Sequence, residues 1–469
     1  MVEHVLEFLD AEHDSILSRL KTYLRIPSVS PDPAFNAHMA EARQYLAVRL
    51  KEIGLHNIQQ LDGGGEPAVY GEWLGAPGKP TILIYGHYDV QPADPIELWK
   101  SPPFEPTERD GCLFARGASD VKGPTSIALE VVAAFLGVCG ACPVNVKVFL
   151  EGEEETGSPS LKGIIDRYRD LLGVDAVLSA DGGRASAVVP TINTGARGNG
   201  QLEFRVQTAS KDLHSGRYGG SVRNALHEMA RLVASLHDAN GAVAVEGFYA
   251  GVEEPTPRQK ADTAAFPFDA KAFFADVEAS HHGEPGFTVR EQLTLRPSLD
   301  VNGMWGGYTG QGGKTIIPNV ASAKLTVRLV EGQDSNEVLD QVVQHLHRHC
   351  PQGMALDILS RHGGAPASTL SADHPLVRAA EAVLRRETGR EPVHVRLGAS
   401  VPITAVFKEM LGIDTLMFGY NLPDEDVHAP NEFLRIRSIG EGLRAWSLLL
   451  DELSRYPVPA FSAPERSQR

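Results

Sequence analysis

The sequence predicts an α/β domain, a mostly parallel sheet sandwiched by helices, interrupted by a smaller inserted α+β domain. Three observations predict it. Four short apolar runs, PTILIYG (80–86), VNVKVFLEG (144–152), VDAVLSAD (174–181) and DTLMFGY (414–420), close on or beside a Gly or an acid, as interior strands covered on both faces do. Helical patterns alternate with them, the clearest carrying Ile439, Leu443, Trp446, Leu450 and Leu453 at spacings of four and three, and strand–helix alternation implies a parallel sheet. In the middle of the chain, QLEFRVQT (201–208) and AKLTVRLV (323–330) alternate apolar with polar instead, the pattern of strands with one wet face. Between those two, Val222, Leu226, Met229, Val233 and Leu236 predict a one-faced helix.

A length of 469 residues exceeds one ordinary core, so two domains are expected. The first is placed at 1–198 and resumes at 366–469, with the insertion at 199–365. The N-terminus, MVEHVLEFLDAEHDSILSRLKTYL, mixes charges through its apolar positions and reads as an amphipathic first helix rather than a signal peptide. No run of about eighteen apolar residues predicts a membrane span, and a cytoplasmic location is expected. The polar, Pro-containing tail after about residue 456 is expected to add little.

Composition narrows the chemistry. Four cysteines, Cys112, Cys139, Cys142 and Cys350, are too few for a disulfide framework. Cys139 and Cys142 form a CxxC pair with no second CxxC or CxxH, so two small buried residues are the expected reading. Sixty acids against 44 bases give a formal net charge of −16, which argues against a nucleic-acid-binding surface.

Part of that acidity falls at strand ends. GHYDVQP (86–92) follows the first apolar run, and the carboxyl end of a buried strand is a rigid platform with an open mouth. His87 and Asp89 sit two apart and point the same way, so Asp89 can hold the ring nitrogen that does not face a ligand. RGASDVKGP (116–124) exposes Asp120 among glycines, and a carboxylate can bridge two cations where a histidine cannot. EGEEETGS (151–158) puts four carboxylates in five positions at a strand end, where they repel one another strongly without cations. Asp181 closes the next run, and DEDVHAPNE (424–432) places His428 after the last. A mixed set of His and carboxylate suits zinc, manganese or cobalt better than calcium. TGQGGKT (309–315) imitates a phosphate-binding loop, but Tyr308 stands where that loop needs its first Gly.

Taken in order, GHYDVQP, ARGASDVKG, EGEEETGS, LSAD, KDLHSGRYGGS, GGKTIIPN and HAPNE resemble the carnosinase and cytosolic nonspecific dipeptidase branch of the dinuclear metallopeptidases, with carboxypeptidase G and succinyl-diaminopimelate desuccinylase as distant relatives. The resemblance implies a metallopeptidase catalytic domain and makes the insertion a lid and dimerisation domain. It implies two divalent metal ions per subunit, zinc first, manganese or cobalt next. His87 and Asp181 would hold one, Glu155 and His428 the other, and Asp120 both. Glu154 would be the general base, a choice that spacing cannot make among Glu153, Glu154 and Glu155, and Asp89 would orient His87. His214 would reach the partner subunit's site in a homodimer and stabilise the oxyanion. Arg328, His362 and Ser400 would hold the substrate's carboxylate end, with Thr315 in the same binding region. The activity implied is hydrolysis of dipeptides or similar small peptides by a metal-activated water. One departure matters: Leu397-Gly398-Ala399-Ser400 stands where dipeptidase relatives carry Glu-Gly-Gly-Ser. That lost carboxylate keeps N-acyl amino-acid hydrolysis open as the alternative.

Overall fold

The computed structural model describes residues 1–398 and 402–461, which group into two compact units. The first comprises Met1–Thr194, Leu370–Val395 and Val406–Arg469; the second comprises Gly195–Thr369 and Arg396–Ala405.

In the first unit the apolar runs become the middle of the sheet. Thr81–His87 lies between Asn145–Glu151 and Ala176–Ser179, parallel to both, and Thr415–Met417 extends the parallel block past Ala176–Ser179. Antiparallel strands flank it, Ala68–Trp73 and His56–Leu61 on one side and Thr191–Ala196 on the other. All seven residues of Asn145–Glu151 are buried, so its polar members need partners. Asn145 exchanges hydrogen bonds with Ala76 and Lys79, and Lys147 donates to the carbonyls of Leu171 and Gly173. Glu151, the last residue, is left at the strand's carboxyl end.

Helices cover this sheet. Ile436–Leu453 packs on Lys122–Cys139, and its fully buried Trp446 donates its indole N–H to the Phe418 carbonyl at 2.9 Å. Lys122–Cys139 is long and apolar enough to cross a membrane by length and composition, but 67% of it is buried inside the fold; it is a core helix. The N-terminal stretch forms two helices rather than one, Val2–Ala11 and His13–Leu24, broken at Glu12, where ψ is 7°. The break lets both apolar stripes, Val5-Leu6-Leu9 and Ile16-Leu17-Leu20-Leu24, enter the same core. The tail contributes more than expected: Phe461 is buried against Tyr456 and His374. All four cysteines are free, Cys142 buried and Cys139 half-buried.

The second unit is a four-stranded antiparallel sheet in the order Ser298–Gly306, Val320–Leu329, Gly198–Gln207, Ala355–Gly363. Alternation in the sequence becomes alternation in burial. Leu202, Phe204 and Val206, with Ala321, Ala323, Leu325 and Val327, face the helices Ala225–Ala234 and Ser335–His349. The first of these helices begins later than the apolar spacing suggests. The Asn224 side chain caps it by accepting from the Leu226 N–H, which leaves Val222 outside the helix and exposed. The glycine-rich stretch 309–315 is an exposed loop leading into the short strand Ile316–Ile317, with no helix after it, so it lacks the context of a phosphate-binding loop.

Candidate metal centre

Parallel strands deliver their carboxyl ends to one edge of the sheet, and in the first unit that edge is acidic. His87 ends its strand in register with Glu151, and Asp181 follows Ala176–Ser179 by two residues. His87 is fully buried. Its Nδ1–H donates to the Asp89 carbonyl oxygen at 3.0 Å and lies 3.3 Å from Asp89 Oδ1. Asp89 is held in turn by Ser30 Oγ at 2.7 Å and the Glu155 N–H at 3.0 Å, both on Oδ2. With the proton on Nδ1, the Nε2 lone pair faces the acidic edge, 3.3 Å from Asp120 Oδ1, 3.9 Å from Asp181 Oδ2 and 4.0 Å from Glu154 Oε2. This buried Nε2 has no hydrogen-bond partner among the described residues. A buried nitrogen left open towards three carboxylates fits a cation ligand.

Asp120 lies just before the helix Lys122–Cys139 and uses both of its oxygens. Oδ1 faces His87, and Oδ2 is 3.0 Å from His428 Nε2. His428 Nε2 is also 3.1 Å from Glu155 Oε2. Two cation-sized groups result, His87 with Asp120 and Asp181, and Asp120 with Glu155 and His428. They share Asp120.

The four acids of EGEEETGS divide by their partners. Glu151 receives the Tyr85 hydroxyl and the Ser158 hydroxyl. Glu153 braces the chain locally, accepting from the N–H groups of Glu66 and Ser160 and from the Ser160 hydroxyl. Glu155 receives the Gln91 amide at 3.0 Å and faces His428. Glu154 faces His87, and its carboxylate accepts no hydrogen bond among the described residues. Gln91, which positions Glu155, carries no signal of that role in the sequence beyond its place in GHYDVQP.

Crowded acids in a buried edge resist ionising. Burial, then the Asp120 charge, pushes Asp181 up to about 8, and burial with neighbouring acids pushes Glu154 up to about 7. Burial also raises Glu151, to about 7. Asp120 goes the other way: the hydrogen bond from His428 and the nearby His87 imidazole overcome its burial and hold it below the usual carboxylate range. Those contacts in return push His428 up to about 10 and raise His87 against its own burial. Positive charge between these groups is what the electrostatics favour, and a cation at either position would supply it.

The second unit holds the expected residues His214, Thr315, Arg328 and His362. His214 ends the strand Leu213–His214, which pairs with Ile316–Ile317, and its Nδ1 accepts from the Gly216 N–H. Thr315 is beside it, its carbonyl accepting from the Ser215 N–H at 3.0 Å. Arg328 is in register with Asn199 and His362 with Gln201, so both lie on the face of the sheet away from its apolar core. Ser400 lies outside the described residues.

Residues 83–452 match peptidase family M20/M25/M40. The chain is 28% identical to the human Beta-Ala-His dipeptidase, over 97% of its own length and 93% of that protein's. It is likewise 28% identical to the Cys-Gly metallodipeptidase DUG1 of Saccharomyces cerevisiae, over 97% and 98%. Among solved structures, the M20 family metallo-carboxypeptidase Sso-CP2 from Sulfolobus solfataricus superposes with a TM-score of 0.79 at 31% identity, covering 94% of this chain and 99% of that one.

Proton competition follows from these electrostatics. A cation ligand must be deprotonated, and Asp181 holds its proton below about 8, with His428 working in the same direction. Zinc affinity, measured by chelator competition, should therefore rise at least about 10-fold from pH 6 to pH 8. An affinity independent of pH over that interval would remove Asp181 from the ligand set.

Proposed function

The chain belongs to peptidase family M20/M25/M40, and we propose that it hydrolyses the amide bond of dipeptides or similar small peptides at a pair of divalent cations, zinc first among them and manganese or cobalt next. One observation carries this reading: the single Asp120 carboxylate set between His87 at 3.3 Å and His428 at 3.0 Å, with a second acid beside each histidine. The curated relatives are dipeptidases, one named for β-Ala-His and one for Cys-Gly.

Divalent cations, when bound, supply Lewis acidity that acidifies water and polarises an amide carbonyl. His87 and Asp181 would hold one, Glu155 and His428 the other, and Asp120 both. Asp89 fixes the tautomer of His87. Glu154 takes the proton of the attacking water and returns it to the leaving amine; at about 7 its carboxyl is poised for both transfers. His214 donates to the oxyanion of the tetrahedral intermediate. Arg328 and His362, sharing one face of their sheet, receive the substrate's carboxylate together with Thr315 and Ser400.

A homodimer through the second unit completes the proposal. Ser298–Gly306 is an edge strand with Val301, Met304 and Trp305 exposed, and an apolar sheet edge is a template for another copy. Four free cysteines suit a reducing cytoplasm.

Leu397 favours a second reading. It brings an apolar side chain where an α-amino group would want a carboxylate, which fits N-acyl amino acids, and Sso-CP2 is named as a carboxypeptidase. Turnover of Xaa-Gly dipeptides against their N-acetylated forms separates the two, and preference for the acetylated forms would replace the dipeptidase reading.

Glu154→Gln should keep both metal ions and lose at least about two orders of magnitude in turnover, whereas Glu155→Gln should lose metal. The reverse pattern in metal analysis and kinetics would exchange their roles. His214→Ala should lower turnover about 100-fold or more with metal content unchanged. Mixed with Glu154→Gln under conditions of proven subunit exchange, it should regain activity, because one site in each heterodimer then combines Glu154 with the partner's histidine. Exchange without recovery would confine His214 to its own chain.

A further inference from the structure

His428 is the least supported ligand by ordinary packing. About half of its side chain is accessible to solvent, and it sits in a segment where Asp426, His428 and Asn431 all have positive φ, 50°, 62° and 69°. Non-glycine residues reach that left-handed region at an energetic cost that a free segment would release. Something must hold this one against Asp120.

Two buried carboxylates flank the histidine, three residues before and four after. Glu432 is fully buried and accepts four donors. Its Oε1 receives the N–H groups of Ser119 at 2.9 Å and Asp120 at 3.0 Å. Its Oε2 receives the N–H of Gly117 at 3.0 Å and Arg116 Nη1 at 2.6 Å. Glu425, also fully buried, receives the Ser119 hydroxyl at 2.9 Å and the Leu422 N–H on Oε2, and the N–H and Nη1 of Arg435 on Oε1. Both carboxylates thus reach from the His428 segment to the loop that ends in Asp120. Strand pairing of Phe433–Arg435 with Cys112–Phe114 ties the same two segments together behind them.

We propose that Glu425 and Glu432 are positioning residues that form a two-point clamp, fixing His428 and Asp120 at the separation one cation requires. The inference rests on the dinuclear reading above, and assigns to these two acids a role in metal affinity rather than in folding alone. Neither faces the cation-sized groups; each acts through the backbone and hydroxyl of the 116–120 loop. Partners that orient metal ligands typically change affinity by about 10- to 100-fold when removed.

Glu432→Gln is the informative change. It keeps size and shape but replaces one acceptor oxygen with an NH₂ group, which must then face two donors whichever way the amide turns. Ser119→Ala is the milder companion: it removes one strut from Glu425 and leaves every buried carboxylate in place. Glu130→Gln is the control, since Glu130 is a buried acid paired with Arg19 and Arg49 that lies away from the acidic edge. The readout is zinc stoichiometry and affinity on the metal-stripped, dialysed chain by chelator competition, alongside the unfolding temperature. Wild type and Glu130→Gln should bind two zinc ions, the control unfolding earlier. Glu432→Gln should bind its second zinc about 10- to 100-fold more weakly, and Ser119→Ala should show a smaller loss in the same site. Two zinc ions bound as tightly in both clamp variants as in wild type, with only the unfolding temperature lowered, would overturn the clamp. A wild-type chain that binds no zinc, manganese or cobalt would instead overturn the metal-centre reading on which it rests.

Discussion

Two imidazoles approach opposite oxygens of one carboxylate, and the rest of the first unit is arranged around keeping them there. His87 arrives on the rigid end of a central strand, its ring turned by the Asp89 carbonyl. His428 arrives on an exposed, conformationally costly segment. Asp120 stands between them on a loop whose N–H groups converge on Glu432. The sheet fixes one side of the centre directly, and the other side is held through hydrogen bonds to buried carboxylates.

The price of this arrangement is a concentration of buried acid. Asp89, Asp120, Glu151, Glu154, Glu155 and Asp181 all gather at one strand edge, and isolated ionised carboxylates in such a place are strongly unfavourable. The fold divides the problem. Glu151 receives two hydroxyls, and Asp89 receives a hydroxyl and a backbone N–H on one of its oxygens, while Asp120 is held ionised by imidazoles. Among the described residues Glu154 and Asp181 lack such partners, and they resist ionisation most visibly. In the proposed centre Asp181 would exchange its proton for a cation, and Glu154 would move one.

How much of this the sequence discloses depends on whether the determining interaction is local. His87, Glu151 and Asp181 are legible because an uninterrupted apolar run announces a buried strand and its last polar residue marks the lip. Alternation in 201–208 and 323–330 likewise announces the half-wet sheet, and the decoy at 309–315 is dismissed by its neighbours. Glu153, Glu154 and Glu155 are indistinguishable by spacing, because their roles are set by Ser160, His87 and Gln91, none of which the local pattern names. Val222 has the right spacing for the helix and falls outside it because Asn224 caps first. The helix break at Glu12 has no sequence mark, and Phe461 is buried by contacts with His374 and Tyr456 that no local pattern predicts. Glu425 and Glu432 read as ordinary members of an acidic segment, since what distinguishes them is a loop three hundred residues away in the chain. His214, Arg328 and His362 are ordinary polar residues by pattern, and only resemblance singles them out.

Everything turns on whether Asp120 lies between two cations. Anomalous scattering from crystals of the zinc-loaded protein, recorded on either side of the zinc absorption edge, locates bound metal without assumption about ligands. Two peaks about 3.5–4 Å apart, one beside each oxygen of Asp120, the first also within reach of His87 and Asp181 and the second of Glu155 and His428, are the expected result. A single peak, or two that do not share Asp120, would contradict the dinuclear centre.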